Sequence, residues 1–147
     1  IINLLLERTL GAAIGKTHKM MFKSMNRRFK EAGLDIHAEH FIVLIHLWEQ
    51  DGQNQQWLGE EAGRDKTSVT RAINGLEKRN MVLRVPDKQD KRHNLIYLTQ
   101  LGKDLKQTIM PIIEELRDMA EIDIDEKELQ ICMKVLSKVY ENMHKEI

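Results

Sequence analysis

The sequence holds little of what secreted, membrane-spanning or catalytic chains depend on. Of its 147 residues one is a cysteine, Cys132, so no internal disulfide can form, and a reducing cytoplasm is the expected location. Only two prolines are present, Pro86 and Pro111, and no low-complexity stretch or repeat suggests a linker. No apolar run approaches the roughly 18 residues of a membrane span. The run Ile1–Leu6 is apolar, but no basic stretch precedes it and Glu7-Arg8 ends it, which argues against a signal peptide. The missing initiator Met points to a trimmed N-terminus. A glycine-rich phosphate loop, a cysteine cluster and a nucleophile elbow are all absent, and no carboxylates pair on a concave face. Neither an enzyme nor a cofactor is expected.

Net charge is lacking too: 23 Lys and Arg balance 23 Asp and Glu. Taken alone, that argues against a nucleic-acid partner. The distribution says otherwise. Residues 1–30 hold seven basic side chains against one acidic, and residues 31–63 hold none against seven. Residues 64–92 hold nine against four, and residues 93–147 seven against eleven. A basic stretch from Arg64 to Arg92 between acidic flanks is the electrostatic footprint of DNA binding, which depends on clustering rather than on the total.

Hydropathy periods order the chain as four helices, a hairpin and two more helices. Leu6, Leu10, Ala13, Ile14, Thr17, Met20, Met21, Met25 and Phe29 recur at steps of three and four, which predicts a helix over 2–32 ended by Gly33. Phe41, Leu44, Ile45 and Trp48 share one face of a helix over 38–50. A short helix at 54–62 turns Trp57, Leu58 and Ala62 inward, Gly63-Arg64 breaks it, and another runs from Lys66 to Asn80. Then the period changes. Val82, Leu83 and Val85, and later Leu95–Leu98, bracket the polar turn Asp87–Arg92, which reads as a β-hairpin. Thr99 and Asp125 stand where they can cap helices over 100–120 and 126–144.

The segment Lys66–Lys78 carries most of the functional argument. On a helical wheel Val69, Ala72, Ile73 and Leu76 fall on one side and must face the core. Thr67, Arg71, Asn74 and Lys78 fall opposite. Arginine suits guanine, asparagine adenine, and threonine a thymine methyl or a phosphate. Asp65 can cap the helix, and Thr67 and Ser68 near its start can reach phosphates. A polar outer face on one helix is as often merely solvated. A short helix, a glycine break and a basic second helix, however, make a helix-turn-helix. A hairpin tip with Lys88, Lys91 and Arg92 follows at once and can enter an adjacent minor groove.

With these elements in place, the chain resembles the MarR (multiple antibiotic resistance regulator) family. The resemblance rests on Thr67–Arg71, Leu76–Val82, Asp87–Arg92 and Leu98–Gly102, in that order and spacing, and covers essentially the whole chain. It implies a mainly α winged helix-turn-helix that binds double-stranded DNA as a homodimer, at a pseudo-palindromic operator and most often as a repressor. The DNA-binding region is expected at 36–99, with dimerisation helices at 1–33 and 100–147 of a single domain 1–147. Lys66, Thr67, Ser68, Thr70, Arg71, Asn74, Lys78, Lys88, Asp90, Lys91 and Arg92 are the expected DNA-binding residues, with Asp90 orienting Arg92. Gly75 departs from the family, whose members usually carry a longer polar residue there. Either the backbone approaches something closely at that point or the position has drifted.

Surplus apolar residues on the outer helices, among them Leu101, Leu105, Ile109, Leu116, Met119, Ile131, Val135 and Met143, are consistent with a dimer interface as well as with internal packing. The resemblance also implies a small phenolic or anionic effector, in a cleft that His18, Met20, Met21, Phe22, His40, Phe41 and Trp48 could line. Methionines and aromatics at helical spacing are more often core. A metal-responsive regulator is the weaker reading. His37 and His40 are better taken as satisfied surface histidines, and Gln107 and Pro111 stand where metal-binding relatives carry histidines. A thiol sensor is disfavoured because Cys132 comes late and reads as a small buried hydrophobe. A helical adaptor that uses the winged fold for protein contacts is the remaining alternative. Pro111 should kink its helix, as static shape rather than a hinge.

Overall fold

The computed structural model describes residues 8–147. The first described helix, α1, is Leu10–Glu31 and starts at an extended Thr9 whose side chain accepts the Ala12 N–H. The continuous helix expected over 2–32 is therefore corrected, since it is interrupted at Thr9, and its share of residues 1–7 lies outside the described residues. There follow α2 (Ala38–Glu49), β1 (Gln53–Asn54), α3 (Gln55–Ala62), α4 (Lys66–Lys78), β2 (Val82–Pro86), β3 (Asn94–Leu98), α5 (Gln100–Ala120) and α6 (Glu126–Glu146).

The hairpin is part of a three-stranded antiparallel sheet in the order β1-β3-β2. Its register runs from Val82 opposite Leu98 to Pro86 opposite Asn94, and Gln53 of β1 faces Ile96. Two residues of β1 are too few to show an alternation, so the sequence gives no sign of this strand. Pro86 sits on the edge strand β2, where its missing N–H breaks no central ladder.

The chain divides into two compact units, residues 1–116 and residues 117–147. In the first, a single core gathers Phe29 of α1, Leu44 and Leu47 of α2, Leu58 of α3, Ile73 and Leu76 of α4, Ile96 of β3 and Ile109 of α5, all fully buried. Each such side chain contributes about 1.5–3 kcal/mol by leaving water. The apolar stripe of α1 is buried only toward its C-terminal end, at Met25 and Phe29, whereas Leu10, Ile14, Met20 and Met21 remain exposed. Thr99 fastens the start of α5: it accepts the Gly102 N–H at 3.1 Å and donates to the Asn80 carbonyl at 2.6 Å. Pro111 lies inside α5, which stays helical on both sides of it.

In the second unit Asp125 caps α6 and Glu128 reaches back to the Asp125 N–H, a reciprocal capping box. No residue of α6 is buried. Ile131, Met133, Tyr140 and Met143 are each more than half exposed. Cys132 is exposed as well, which corrects the expectation of a buried thiol: no face of α6 is buried among the described residues, so its position on the helix offers nothing to pack against. Among the described residues no helix is long and apolar enough to cross a membrane.

Candidate nucleic-acid interface

The two helices of the helix-turn-helix are set by local chemistry before tertiary packing acts. Asn54 caps α3 by accepting the Trp57 N–H at 2.7 Å. Gly63 ends α3 at φ 62°, a left-handed conformation that a side chain would strain, and the Arg64 N–H closes the turn on the Gly59 carbonyl at 2.9 Å. Asp65 then caps α4 through the Ser68 N–H at 2.7 Å. Hydrogen bonds from the Ser68 backbone and side chain hold the Asp65 carboxyl below the usual carboxylate range.

Val69, Ala72, Ile73 and Leu76 are buried, as the helical wheel requires. Lys66, Thr67, Arg71, Asn74 and Lys78 are exposed on the outside, and Ser68 and Thr70 are half-buried. These side chains differ in how free they are. Thr70 donates its one hydroxyl proton to the Lys66 carbonyl at 2.8 Å and accepts from Gln55, so it ties α3 to α4. Arg71 places Nε and Nη2 each 3.1 Å from Glu39 Oε2 on α2. Asn74 accepts through Oδ1 from Arg84 of β2, which also binds Glu77. Arg79 reaches the Asp35 and Gly75 carbonyls at 2.7 and 3.0 Å. Glu39, Gln55 and Arg84 were not anticipated. Their partners on α4 are 7 to 32 residues away in sequence and on a different element in each case, so no helical or strand period links them.

Gly75 is explained by a close approach. A Cβ at this position would lie 2.5 Å from His40 Nε2 on α2. His40 is 3 % exposed, which corrects its reading as a surface histidine; its Nδ1 accepts the His37 N–H at 2.9 Å. Burial, then the nearby Arg79 charge, lowers its pKa to about 4, against the opposing pull of Glu39. Beside this contact an open cleft of about 480 Å³ separates α2 from α4 and is lined by His37, Glu39, His40, Arg71 and Asn74 among others.

The wing loop is 87–93. The Asp87 N–H donates to the His93 carbonyl at 3.0 Å, and the His93 N–H to the Asp90 carbonyl at 3.1 Å. At its tip Arg92 grips the Asp90 carboxylate with Nε and Nη2, both at 2.9 Å, and its own N–H adds a third bond at 3.1 Å. The Arg92 side chain is nevertheless 84 % exposed. The pair lowers the Asp90 pKa and raises that of Arg92. Lys88 and Lys91 are exposed beside it.

The other residues expected around an effector have mixed surroundings. Phe41 is core and its ring stands 6.3 Å from that of Trp48, whose indole N–H donates to the Gly102 carbonyl at 2.9 Å. His18 and Phe22 are in ring contact at 4.1 Å, the Arg64 guanidinium lies 5.8 Å from the Phe22 ring centre, and Met21 is exposed. Among the described residues no group of three or more His, Cys, Asp or Glu side chains could hold a metal ion.

A helix-turn-helix followed directly by a charged hairpin defines the class: a winged helix-turn-helix transcription regulator. The MarR family model matches residues 36–93. The HTH-type transcriptional regulator SarZ of Staphylococcus epidermidis is 31 % identical over 112 residues, 76 % of this chain and 73 % of that protein. The chain belongs to the MarR family. Among solved structures, an uncharacterised SlyA-like transcription regulator from Listeria monocytogenes superposes with a TM-score of 0.85 at 27 % identity, over 95 % of this chain and 91 % of that one. A MarR-family regulator from the same organism, solved with a 26mer DNA, superposes with a TM-score of 0.82 at 27 % identity over the same shares.

Proposed function

We propose that the chain is a homodimeric repressor that reads a pseudo-palindromic operator, with α4 in the major groove and the wing tip in the adjacent minor groove. The observation that carries this reading is the joint exposure of the outer face of α4 and of Arg92, a long cation ordered by Asp90 at the end of the hairpin. A pre-ordered arginine suits the negative potential of a narrow minor groove. Lys66, Thr67, Ser68, Arg71, Asn74 and Lys78 are the groove-facing set, with Lys88 and Lys91 at flanking phosphates. Thr70 is assigned a different part: its hydroxyl proton is engaged within the protein, so it positions α4 against α3 instead of donating to a phosphate.

Two copies would join through exposed apolar side chains of α1, such as Leu10 and Ile14, and of α6, such as Ile131 and Met143. Two-fold symmetry then sets half-sites about one DNA turn apart, ~34–36 Å. A small phenolic or anionic effector, which family membership suggests, would act by changing that spacing. Selection of bound sites from random duplex DNA, with and without candidate phenols, tests the whole reading. An inverted repeat whose affinity falls steeply with salt is the expected result. Binding that selects no sequence and ignores salt would instead favour an adaptor that meets proteins.

A further inference from the structure

Arg84 stands on β2, outside the helix-turn-helix, yet its guanidinium bridges two residues of α4. Nη2 donates to Asn74 Oδ1 and Nη1 to Glu77 Oε1, both at 2.6 Å. Asn74 and Glu77 are three residues apart and so share one side of the helix, within reach of one planar fork. The Arg84 side chain is only 22 % exposed, held beneath the surface it organises.

A guanidinium can only donate hydrogen bonds, so its presence dictates which way the Asn74 amide faces. The oxygen turns toward Arg84 and the NH2 turns away. An asparagine that reads adenine must accept from the N6 amino group with its oxygen while donating to N7. Here a charge-assisted bond holds the oxygen on the Arg84 side, so the group left on the opposite side for a base edge is the NH2, a pair of donors. Guanine offers two adjacent acceptors, N7 and O6, in the major groove. The same fork neutralises Glu77, a carboxylate that would otherwise repel nearby phosphates.

We propose that Arg84 is a positioning residue that sets base preference through Asn74, changing it from an adenine reader into a donor to guanine. This rests on the reading of α4 as the major-groove helix. The test is site selection from random duplex DNA by the full chain and by Asn74→Ala, Arg84→Met and Arg84→Lys. The base position that loses its preference in Asn74→Ala identifies where Asn74 reads. Guanine is expected there for the wild type and for Arg84→Lys, which keeps a donor-only cation. Arg84→Met should shift that one position toward adenine by about tenfold and leave the others unchanged. A merely structural role would weaken every position alike. Adenine at the Asn74 position in the wild type, or guanine retained by a folded Arg84→Met, would overturn the proposal while leaving DNA binding intact. Should Arg84→Met not fold, the wild-type base at that position decides by itself, guanine for the proposal and adenine against it. Failure of the wild type to enrich any sequence would overturn the assignment of α4 along with it.

Discussion

The second helix of the helix-turn-helix, α4, and the wing tip carry the same kind of charge and are held by opposite means. Four side chains of α4 are buried in the core, and its outward residues are tied to three other elements: Arg71 to α2, Thr70 to α3, and Asn74 to β2. The wing tip touches little but itself, since Arg92 is ordered by Asp90 two residues away and otherwise stands in solvent. A reader of base edges needs its donors and acceptors at fixed places, because hydrogen bonds weaken steeply with distance and angle. A charge that enters a groove by shape and potential can be held more loosely. The difference predicts that perturbing α4 costs stability and specificity, whereas perturbing the wing costs binding alone.

The largest effect should come from the anchoring face of α4. Ile73 is fully buried, and Ile73→Ala should lower unfolding free energy by about 2–5 kcal/mol in a denaturant titration. Arg92→Ala in the same assay should leave the midpoint unchanged. Equal losses would mean that the wing is packed after all.

Acid should loosen the α2–α4 contact next. Because the folded-state pKa of His40 is lowered to about 4, the unfolded chain takes up a proton at a higher pH than the folded one. This contribution is fully present above the ordinary histidine pKa and is lost as pH falls below it. Between pH 7.5 and pH 5 the loss should be about 2 kcal/mol. Chemical unfolding at the two pH values checks this, and His40→Gln should flatten the difference; an equally steep dependence in that variant would place the titration elsewhere.

Gly75→Ala should be smaller. The added methyl meets the His40 ring, which the His37 N–H holds in place. Overpacking of about 1–3 kcal/mol is set against a helix-propensity gain of about 1 kcal/mol. A net loss of up to about 2 kcal/mol should appear as a lower melting temperature, and a stabilised variant would show that the helices can part at no cost. The smallest effect belongs to the wing. Arg92→Ala should weaken operator binding and reduce the slope of log affinity against log salt by about 1, without any change in folding. An unaltered slope would remove Arg92 from the DNA contacts.

Much of this contrast was legible in the chain. The spacing of Val69, Ala72, Ile73 and Leu76 specifies which side of α4 is buried, and Asp65, Thr99 and Asp125 stand where the caps form. Asp90 and Arg92 are close enough in sequence for their pairing to be anticipated. The readable features share a cause: each depends on neighbours within about one helical turn, where backbone geometry alone sets the distance. β1 carries no period because it has only two residues, and the single helix expected over 2–32 is interrupted at Thr9, across which the apolar pattern continues.

By itself, then, the sequence determined the class of protein, the order of its elements, the buried face of α4 and the tether at its wing tip. Only the tertiary structure decided which of the outward residues are free. The partners of Arg71, Asn74 and Gly75 come from α2 and β2, so whether Asn74 offers an oxygen or a pair of N–H groups depends on an arginine ten residues away on another element. Long-range contacts of this kind arise only when packed helices and strands bring distant side chains together, and no local period encodes them.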